Sequence, residues 1–499
     1  MKVMHAQRTL KTLVAAAIVA GCGDDVGTGA SASQASTSAA PSTDAPTTTP
    51  TPTGGQDTGA ASSTSDGSGT IGVSATGTST GVVGVTTGTG DASSSSGAQV
   101  GTSTGEPGST TIEGTTAAET TVGAPCEPMG GGDIKFSYLW VANSGQNTVS
   151  KINTLTLVEE GRYAVQPPGI PGGSPSRTSV NLHGDVAVAN RCNLAEPVPD
   201  GCAGVTKIAA QPEDCLDADG DGKITTSTGA NDIKAWGKDE CVLWHTPFKA
   251  RSNRPVAWTA GELNPDTCVY DNPMLWTATS NDGDDTSVKV YLLDGADGSI
   301  EQEIKVTGWE GSGYAIYGGA VDSKDDFWFV GGYANLLGHV RISDFTFEVI
   351  QASGTPYGTM VDNKDRPWLL NGQLNRYDPV AKTWATAPCN FACTSITQDG
   401  DGNVWIGGVP LQDNPIRLLK IDPDTLAVLD TITGADIPEI GLSWGLATDV
   451  EGYLWAVENG NKAFKIDRKD YSYQIFTNPT SMYTYSDMTG FGLINVLPQ

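Results

Sequence analysis

Three alternating aspartates, Asp217-Ala218-Asp219-Gly220-Asp221, followed by Gly222-Lys223-Ile224-Thr225, are where this chain points most directly to chemistry. Carboxylates at the first, third and fifth positions of a tight loop converge on one hard cation, and glycine at the sixth permits the sharp turn. The carbonyl of Lys223 at the seventh position is a further ligand, and Ile224 at the eighth packs inward. Calcium is the expected cofactor, a metal-free Asp/Gly turn the alternative. By contrast, Asp399-Gly400-Asp401-Gly402-Asn403 stands directly before Trp405 and reads as an ordinary β-turn.

The first of these stretches resembles the front half of an EF-hand calcium loop. That resemblance implies a bidentate glutamate at the twelfth position, where this chain has Thr228. A disulfide between Cys215 and Cys241 would set Asp239 and Glu240 beside the start of the loop, since bonded cysteines hold their Cα atoms about 4.4–6.8 Å apart. Glu240 is the expected replacement ligand, with Asp232 a further candidate. No enclosing helix pair is evident, so the ion is expected to clip structure together.

The loop interrupts a repeat. Gly452 to Asp467 reads as a turn, a short apolar strand centred on Trp455, a polar loop and a second strand ending Lys465-Ile466-Asp467. Copies centre on Trp140, Trp276, Trp328, Trp368 and Trp405, and a degenerate one has Ala187 where the others have Trp. Successive Trp steps of 52, 40, 37 and 50 residues from Trp276 onward match the period of propeller blades. A further short strand precedes each Trp strand and another follows each Lys-Ile-Asp, giving four strands per copy. One such unit cannot bury its own apolar face, so the copies must stack. An all-β, seven-bladed β-propeller is expected, with six blades if the Ala187 copy is only an elaborated loop. The C-terminal run from Tyr483 to Leu497 reads as an inner strand that completes the Trp140 blade and closes the ring.

Residues 1–21 read as an export signal: a basic start, then a run of about ten apolar residues, too short to span a bilayer. Val19-Ala20-Gly21-Cys22 resembles the lipobox of bacterial lipoproteins, which implies cleavage before Cys22 and its lipidation; a plain signal peptide is the alternative. Residues 22–125 form a Ser/Thr/Gly/Ala/Pro stretch with no aromatic residue, Lys or Arg, too polar to fold and expected to be a disordered tether. At about 5–6 Å × √n it would span about 50–60 Å on average. Residues 126–499 form the propeller, with the calcium-loop insert assigned to 211–247. Eight cysteines remain after Cys22, an even number suited to an oxidising compartment. Sequence leaves connectivity open; closeness along the chain favours Cys192–Cys202, Cys215–Cys241 and Cys389–Cys393, leaving Cys126–Cys268. The chain carries a formal charge of −28, which repels nucleic acid and anionic membranes. The expected setting is extracytoplasmic, on the periplasmic face or surface of a bacterium, membrane-anchored through the N-terminal lipid, as a monomer.

Loops entering the inner strands and loops following the Trp strands surround one mouth of a propeller channel. Here they offer Arg177, Arg254, Tyr314, Tyr357, Trp444 and Tyr485 from the first set, and Asn371 and Glu458 among those of the second. Aromatic faces with Asn and Arg suit a polar organic or sugar-like ligand, or a protein partner; simple filling of a narrow channel is the alternative. The repeat Gly-x-Leu-Trp, a polar loop and Lys/Arg-Ile-Asp resembles the streptogramin (virginiamycin B) lyase-like seven-bladed propellers, and less closely the NHL and gluconolactonase types. That resemblance implies His and Glu projecting into the mouth, with Mg²⁺ assisting elimination across an ester. Glu458 matches a family Glu by pattern, and none of His5, His183, His245 or His339 matches the family His. The expected function is therefore a surface lipoprotein whose propeller binds a ligand or partner. A lyase or hydrolase rebuilt around Glu458 is the alternative, and a calcium-clipped adhesion module a third.

Overall fold

The computed structural model describes residue 126 and residues 137–192, 198–280, 287–309, 316–332, 334–354, 356–389, 391–409 and 416–497. Cys22, the signal, residues 23–125 and Tyr314 lie outside the described residues. The described strands pair into seven blades. Blade 1 holds β1 (Tyr138–Asn143), β2 (Thr148–Asn153) and β3 (Glu159–Ala164); blade 2 holds β4 (Pro175–Val180), β5 (Val186–Arg191), β6 (Ala203–Ile208) and β7 (Val242–Phe248). Blade 3 is β8 (Ser252–Trp258), β11 (Met274–Ser280), β12 (Ser287–Asp294) and β13 (Ile300–Thr307), with a hairpin of β9 (Glu262–Asn264) and β10 (Val269–Asp271) set between its first two strands. Blades 4 to 7 are four-stranded meanders: β14–β17 (318–351), β18–β21 (359–388), β22–β25 (392–433) and β26–β29 (443–482).

Burial grades outward across each sheet. Inner strands such as β4, β8 and β26 are buried along their whole length, so their side chains are covered on both faces. Outer strands such as β13 and β25 stay largely exposed, because no further strand or neighbouring blade covers them.

Between the blades lie the tryptophans of the second strands. Trp140, Trp276, Trp328, Trp368, Trp405 and Trp455 are all 2% exposed or less. In blades 4 to 7 one device fixes each ring. An aspartate six residues earlier accepts the indole Nε1–H: Asp322 from Trp328 at 2.9 Å, Asp362 from Trp368 at 2.9 Å, Asp399 from Trp405 at 2.8 Å and Asp449 from Trp455 at 2.8 Å. The other carboxylate oxygen accepts the backbone N–H groups two and four residues on and so ties the turn, as at Glu451 and Tyr453 for Asp449. Blade 2 changes both members of the pair. Asn181 replaces the aspartate and ties the turn through His183 N and Asp185 N, while Ala187 stands six residues later with no indole to anchor. Trp258 of the next blade supplies a ring here: Lys207, the cross-strand partner of Ala187, lies 5.5 Å from its centroid, much as Lys420 lies 5.6 Å from Trp405. The Ala187 copy is thus a full blade.

The ring closes through the C terminus. Tyr483 N donates to Ala142 O at 3.0 Å and Trp140 N to Met488 O at 2.8 Å, which lays this segment along the inner edge of β1. Its strand β30 is only Tyr485–Ser486, and also pairs in parallel with β4, Tyr485 opposite Arg177. The run to Leu497 is not one strand. Gly490 turns the chain at φ +85°, and Phe491–Val496 form a helical turn, α1, burying Leu493, Ile494 and Val496. Four disulfides join Cys126–Cys268, Cys192–Cys202, Cys215–Cys241 and Cys389–Cys393. They suit an extracytoplasmic environment. Among the described residues no helix is long and apolar enough to cross a membrane.

Candidate functional site

Strand pleating sorts the innermost residues into layers along the channel, since every second side chain faces the same way. One layer gathers Arg177, Arg254, Tyr317, Tyr357, Trp444 and Tyr485. Two residues further along these strands, Ser179, Val256, Gly319, Thr359, Leu446 and Asp487 line an axial cavity, joined by Ile396.

The first layer is a cage of aromatic rings with guanidinium groups against them. Tyr317, Tyr357, Trp444, Tyr483 and Tyr485 form one buried cluster. Tyr357 lies 4.9 Å from Tyr317, 5.2 Å from Trp444 and 5.4 Å from Tyr485 between ring centroids. Their hydroxyls meet: Tyr357 bonds Tyr485, and Tyr483 lies 3.3 Å from Tyr357 and 3.4 Å from Tyr317. Arg177 sits 4.7 Å from the Tyr485 centroid and 5.2 Å from Tyr317, Arg254 4.5 Å from Tyr317, and Arg191 4.3 Å from Tyr483. Burial pushes the Tyr485 hydroxyl far above its ordinary value and pulls the Arg177 guanidinium down.

Of the residues expected at the mouth, Arg177, Arg254, Tyr357, Trp444 and Tyr485 come together. Tyr317 occupies the place sought at Tyr314. A signal for it was present: Tyr317-Gly318-x-x-Val321-Asp322 repeats Tyr357-Gly358-x-x-Val361-Asp362, with Trp444-Gly445-x-x-Thr448-Asp449 as a third version. Tyr483 was not among the ligand candidates. Asn371 is held by local bonds, donating to Ser353 O and accepting from Asn375 Nδ2 at 3.0 Å. Glu458 accepts the Gly441 N–H, and burial pushes its carboxyl up. The histidines stand elsewhere. His183 contacts Tyr270 O, His245 on β7 meets Thr206 Oγ1 at 2.9 Å and is pulled down to about 4 by burial, and His339 stacks on Trp328 at 3.9 Å. A His–Glu–magnesium arrangement of the lyase kind does not fit these residues.

The aspartate loop lies in the connection from β6 to β7. Val242–Phe248 is the outer strand of blade 2, so the insert ends at Cys241 and not at residue 247. Trp244 explains why: its indole donates to Gly295 O at 3.2 Å and docks the strand on blade 3. Carboxylate oxygens of Asp217, Asp219 and Glu240 lie within 4.8 Å of one another. Cys215–Cys241, with Cα atoms 4.4 Å apart, and the bond from Leu216 N to Glu240 O at 2.9 Å bring Glu240 there. Its side chain accepts Ala218 N at 2.8 Å and Thr225 N at 2.6 Å, spanning the loop. Asp221 stands outside the trio, accepting Lys223 N at 2.8 Å. Asp239 is occupied with Ser227 and Thr226, and Asp232 with Thr228 and Lys234. Asp399 to Asn403 forms a turn, Gly402 N donating to Asp399 O at 2.9 Å. Asp322, Asp326 and His339 form a second carboxylate–imidazole group, in which Asp322 is the Trp328 clamp.

Buried titratable groups make the stability of the domain depend on pH in both directions. Burial pushes Asp487 at the axial cavity, and Asp325 against Ala260 N, up to about 6 each. Folding then takes up protons between about pH 4 and 6, so this contribution is complete below the unfolded value of 3.8 and is lost as pH rises through 6. Asp424 and His245 work oppositely. Lys364 and Arg366 hold Asp424 at about 2, so its contribution is lost only as pH falls below 4. Burial holds His245 at about 4, so its contribution is lost as pH falls from 6.5 through 4. Calorimetry of the full chain carrying His245→Gln, with chelator, isolates the two buried carboxyls and should give a higher melting temperature at pH 5 than at pH 7.5; the reverse order would contradict these assignments.

No family model matches the chain, and no curated protein sequence does. Among solved structures it is similar to virginiamycin B lyase from Staphylococcus aureus, at 14% identity over 63% of this chain and 86% of that one, TM-score 0.40. It is similar also to the dihydro-heme d1 dehydrogenase NirN in complex with DHE, at 10% identity over 74% and 78%, TM-score 0.45. A protein of unknown function from Bacteroides caccae shares 12% identity over 60% and 94%, TM-score 0.37. The likeness is one of fold.

Proposed function

We propose that this protein is an extracytoplasmic lipoprotein whose propeller binds a polar ligand at the arginine–tyrosine mouth, with calcium bound at the Asp217 loop. The observation carrying the binding reading is the buried cage of Arg177, Tyr317, Tyr357, Trp444 and Tyr485. It sets hydroxyls, indole and guanidinium at one end of a channel in a scaffold of seven rigid sheets. The engagement of Glu458 by Gly441, with no described histidine at the mouth, supports binding over ester elimination. The four disulfides support export, and the Cys22 site supports the anchor.

The binding test is a titration of the full chain, in detergent, against neutral and charged saccharides and short peptides, followed by calorimetry. Tyr485→Phe, which removes one cage hydroxyl, should weaken the best ligand several-fold. Binding untouched by changes in the cage would move the site elsewhere. For the anchor, Cys22→Ser should leave the membrane fraction; processed protein still wholly membrane-bound would end the lipoprotein reading.

A further inference from the structure

Two buried arginines and the half-buried Arg468 are met by carboxylates. Arg162 pairs with Glu159 at 2.7 Å, Arg366 with Asp362 at 2.8 Å, and Arg468 with Asp399 at 2.6 Å. Arg177 is different. It is 1% exposed, it donates to Ser486 Oγ at 3.0 Å and Tyr357 O at 3.4 Å, and its Nε has no protein partner. The rest of its surroundings are the faces of Tyr485 and Tyr317. Trp444, 1% exposed in the same cluster, also leaves its Nε1–H without an acceptor.

Buried donors normally find acceptors, and a buried charge is costly unless it is paired. Aromatic faces and neutral oxygens offset part of that cost. An ordered water would satisfy an N–H but not the charge. Arg177 Nε and Trp444 Nε1 are both donors, so their complement is an acceptor, and beside a guanidinium a negatively charged one. The unmet carboxylate oxygen Asp487 Oδ2 belongs to the next layer, at the axial cavity. Nothing in the described mouth supplies it: Glu458 is turned to Gly441 N. Arg191 adds a third guanidinium at this end, 8% exposed against Tyr483, although the chain as a whole carries −28.

We propose that the ligand of this mouth carries an anionic group, a carboxylate or an oxyanion ester, which pairs with Arg177 and takes the Trp444 Nε1–H. This rests on the reading of the mouth as a ligand site and names the chemistry it selects. The specificity follows from the buried donors: a neutral ligand would leave the guanidinium uncompensated.

Isothermal titration of the full chain in detergent, with galacturonate, inorganic sulfate and inorganic phosphate as probes and galactose as the neutral control, tests this. Galacturonate or an oxyanion should bind saturably, at least about tenfold more tightly than galactose and progressively more weakly as chloride rises. Response to galacturonate alone identifies a carboxylate, and response to sulfate or phosphate alone an oxyanion ester. Arg177→Gln should lower the affinity about tenfold or more, with Arg177→Lys intermediate. Trp444→Phe keeps the ring and loses the donor, and covers the case in which Arg177→Gln fails to fold. Equal binding of galactose and galacturonate, insensitive to chloride, would overturn the anion while leaving the mouth a ligand site. No binding of any anion to folded wild type would overturn it as well, and the wider ligand panel then decides the mouth itself.

Discussion

Asp449→Asn should lower the stability of the propeller by about 1–3 kcal/mol, although it changes one atom and no volume. Asp449 uses both oxygens: one accepts the Trp455 indole at 2.8 Å, the other accepts Glu451 N at 3.0 Å and Tyr453 N at 2.9 Å. An asparagine keeps one acceptor for the turn. Its amide then faces the indole N–H, donor against donor, in a site where Trp455 is fully buried. Blade 2 shows the arrangement that tolerates asparagine: Asn181 ties the turn because Ala187 brings no indole. The reverse change, Asn181→Asp, is no mild control, because Asn181 Nδ2 donates to Asp185 Oδ2 at 3.4 Å and a second buried carboxylate there would face the first. Chemical denaturation of Asp449→Asn, with Trp455→Phe in a double-mutant cycle, is the check. If the cost of Asp449→Asn persists unchanged in the Trp455→Phe background, the clamp is not what holds the ring.

Calcium should raise the melting temperature of the full chain, and Glu240→Gln should abolish most of that rise. Asp217, Asp219 and Glu240 bring carboxylate oxygens within 4.8 Å of one another, and a divalent cation among them removes their mutual repulsion. An ion bound only by the folded loop adds RT ln(1 + [L]/Kd), about 2.7 kcal/mol at a hundredfold excess over Kd. Extracellular modules bind at about 10⁻⁴–10⁻³ M, so the gain should grow through the millimolar range. Glu240 also accepts Ala218 N and Thr225 N, so Glu240→Gln should lose some stability even with chelator. Calorimetry with calcium, magnesium and chelator separates the two effects. No calcium dependence in wild type, together with no calcium found in the purified protein, would return the insert to a metal-free turn.

How far these features could be read beforehand depends on how local their causes are. Tryptophans at 40-residue spacing, strands of period 2 and turns rich in Asp and Gly are statements about neighbours, and the propeller follows from them because such units must stack to bury their faces. The aspartate loop and its disulfide were legible for the same reason: Cys215 and Cys241 flank it, and Glu240 adjoins Cys241. Tyr357 and Trp444 were legible because each stands five residues before its turn aspartate, and Arg177, Arg254 and Tyr485 because each lies near the start of an inner strand.

Only the closed ring decided the rest. Tyr317 stands in place of Tyr314, three residues earlier, because the pairing of β14 with β15 fixes which residue before Gly318 reaches the cluster. The Tyr-Gly-x-x-Val-Asp match to Tyr357 was the sequence trace of that register. Trp258 covers the gap at Ala187 from a different blade, a relation with no sequence signature. The C-terminal run became a two-residue strand and a helical turn because it had to satisfy β1, β4 and the axial cavity together. The unpartnered Nε of Arg177 emerged last, since whether a buried charge is paired depends on everything the fold brings around it.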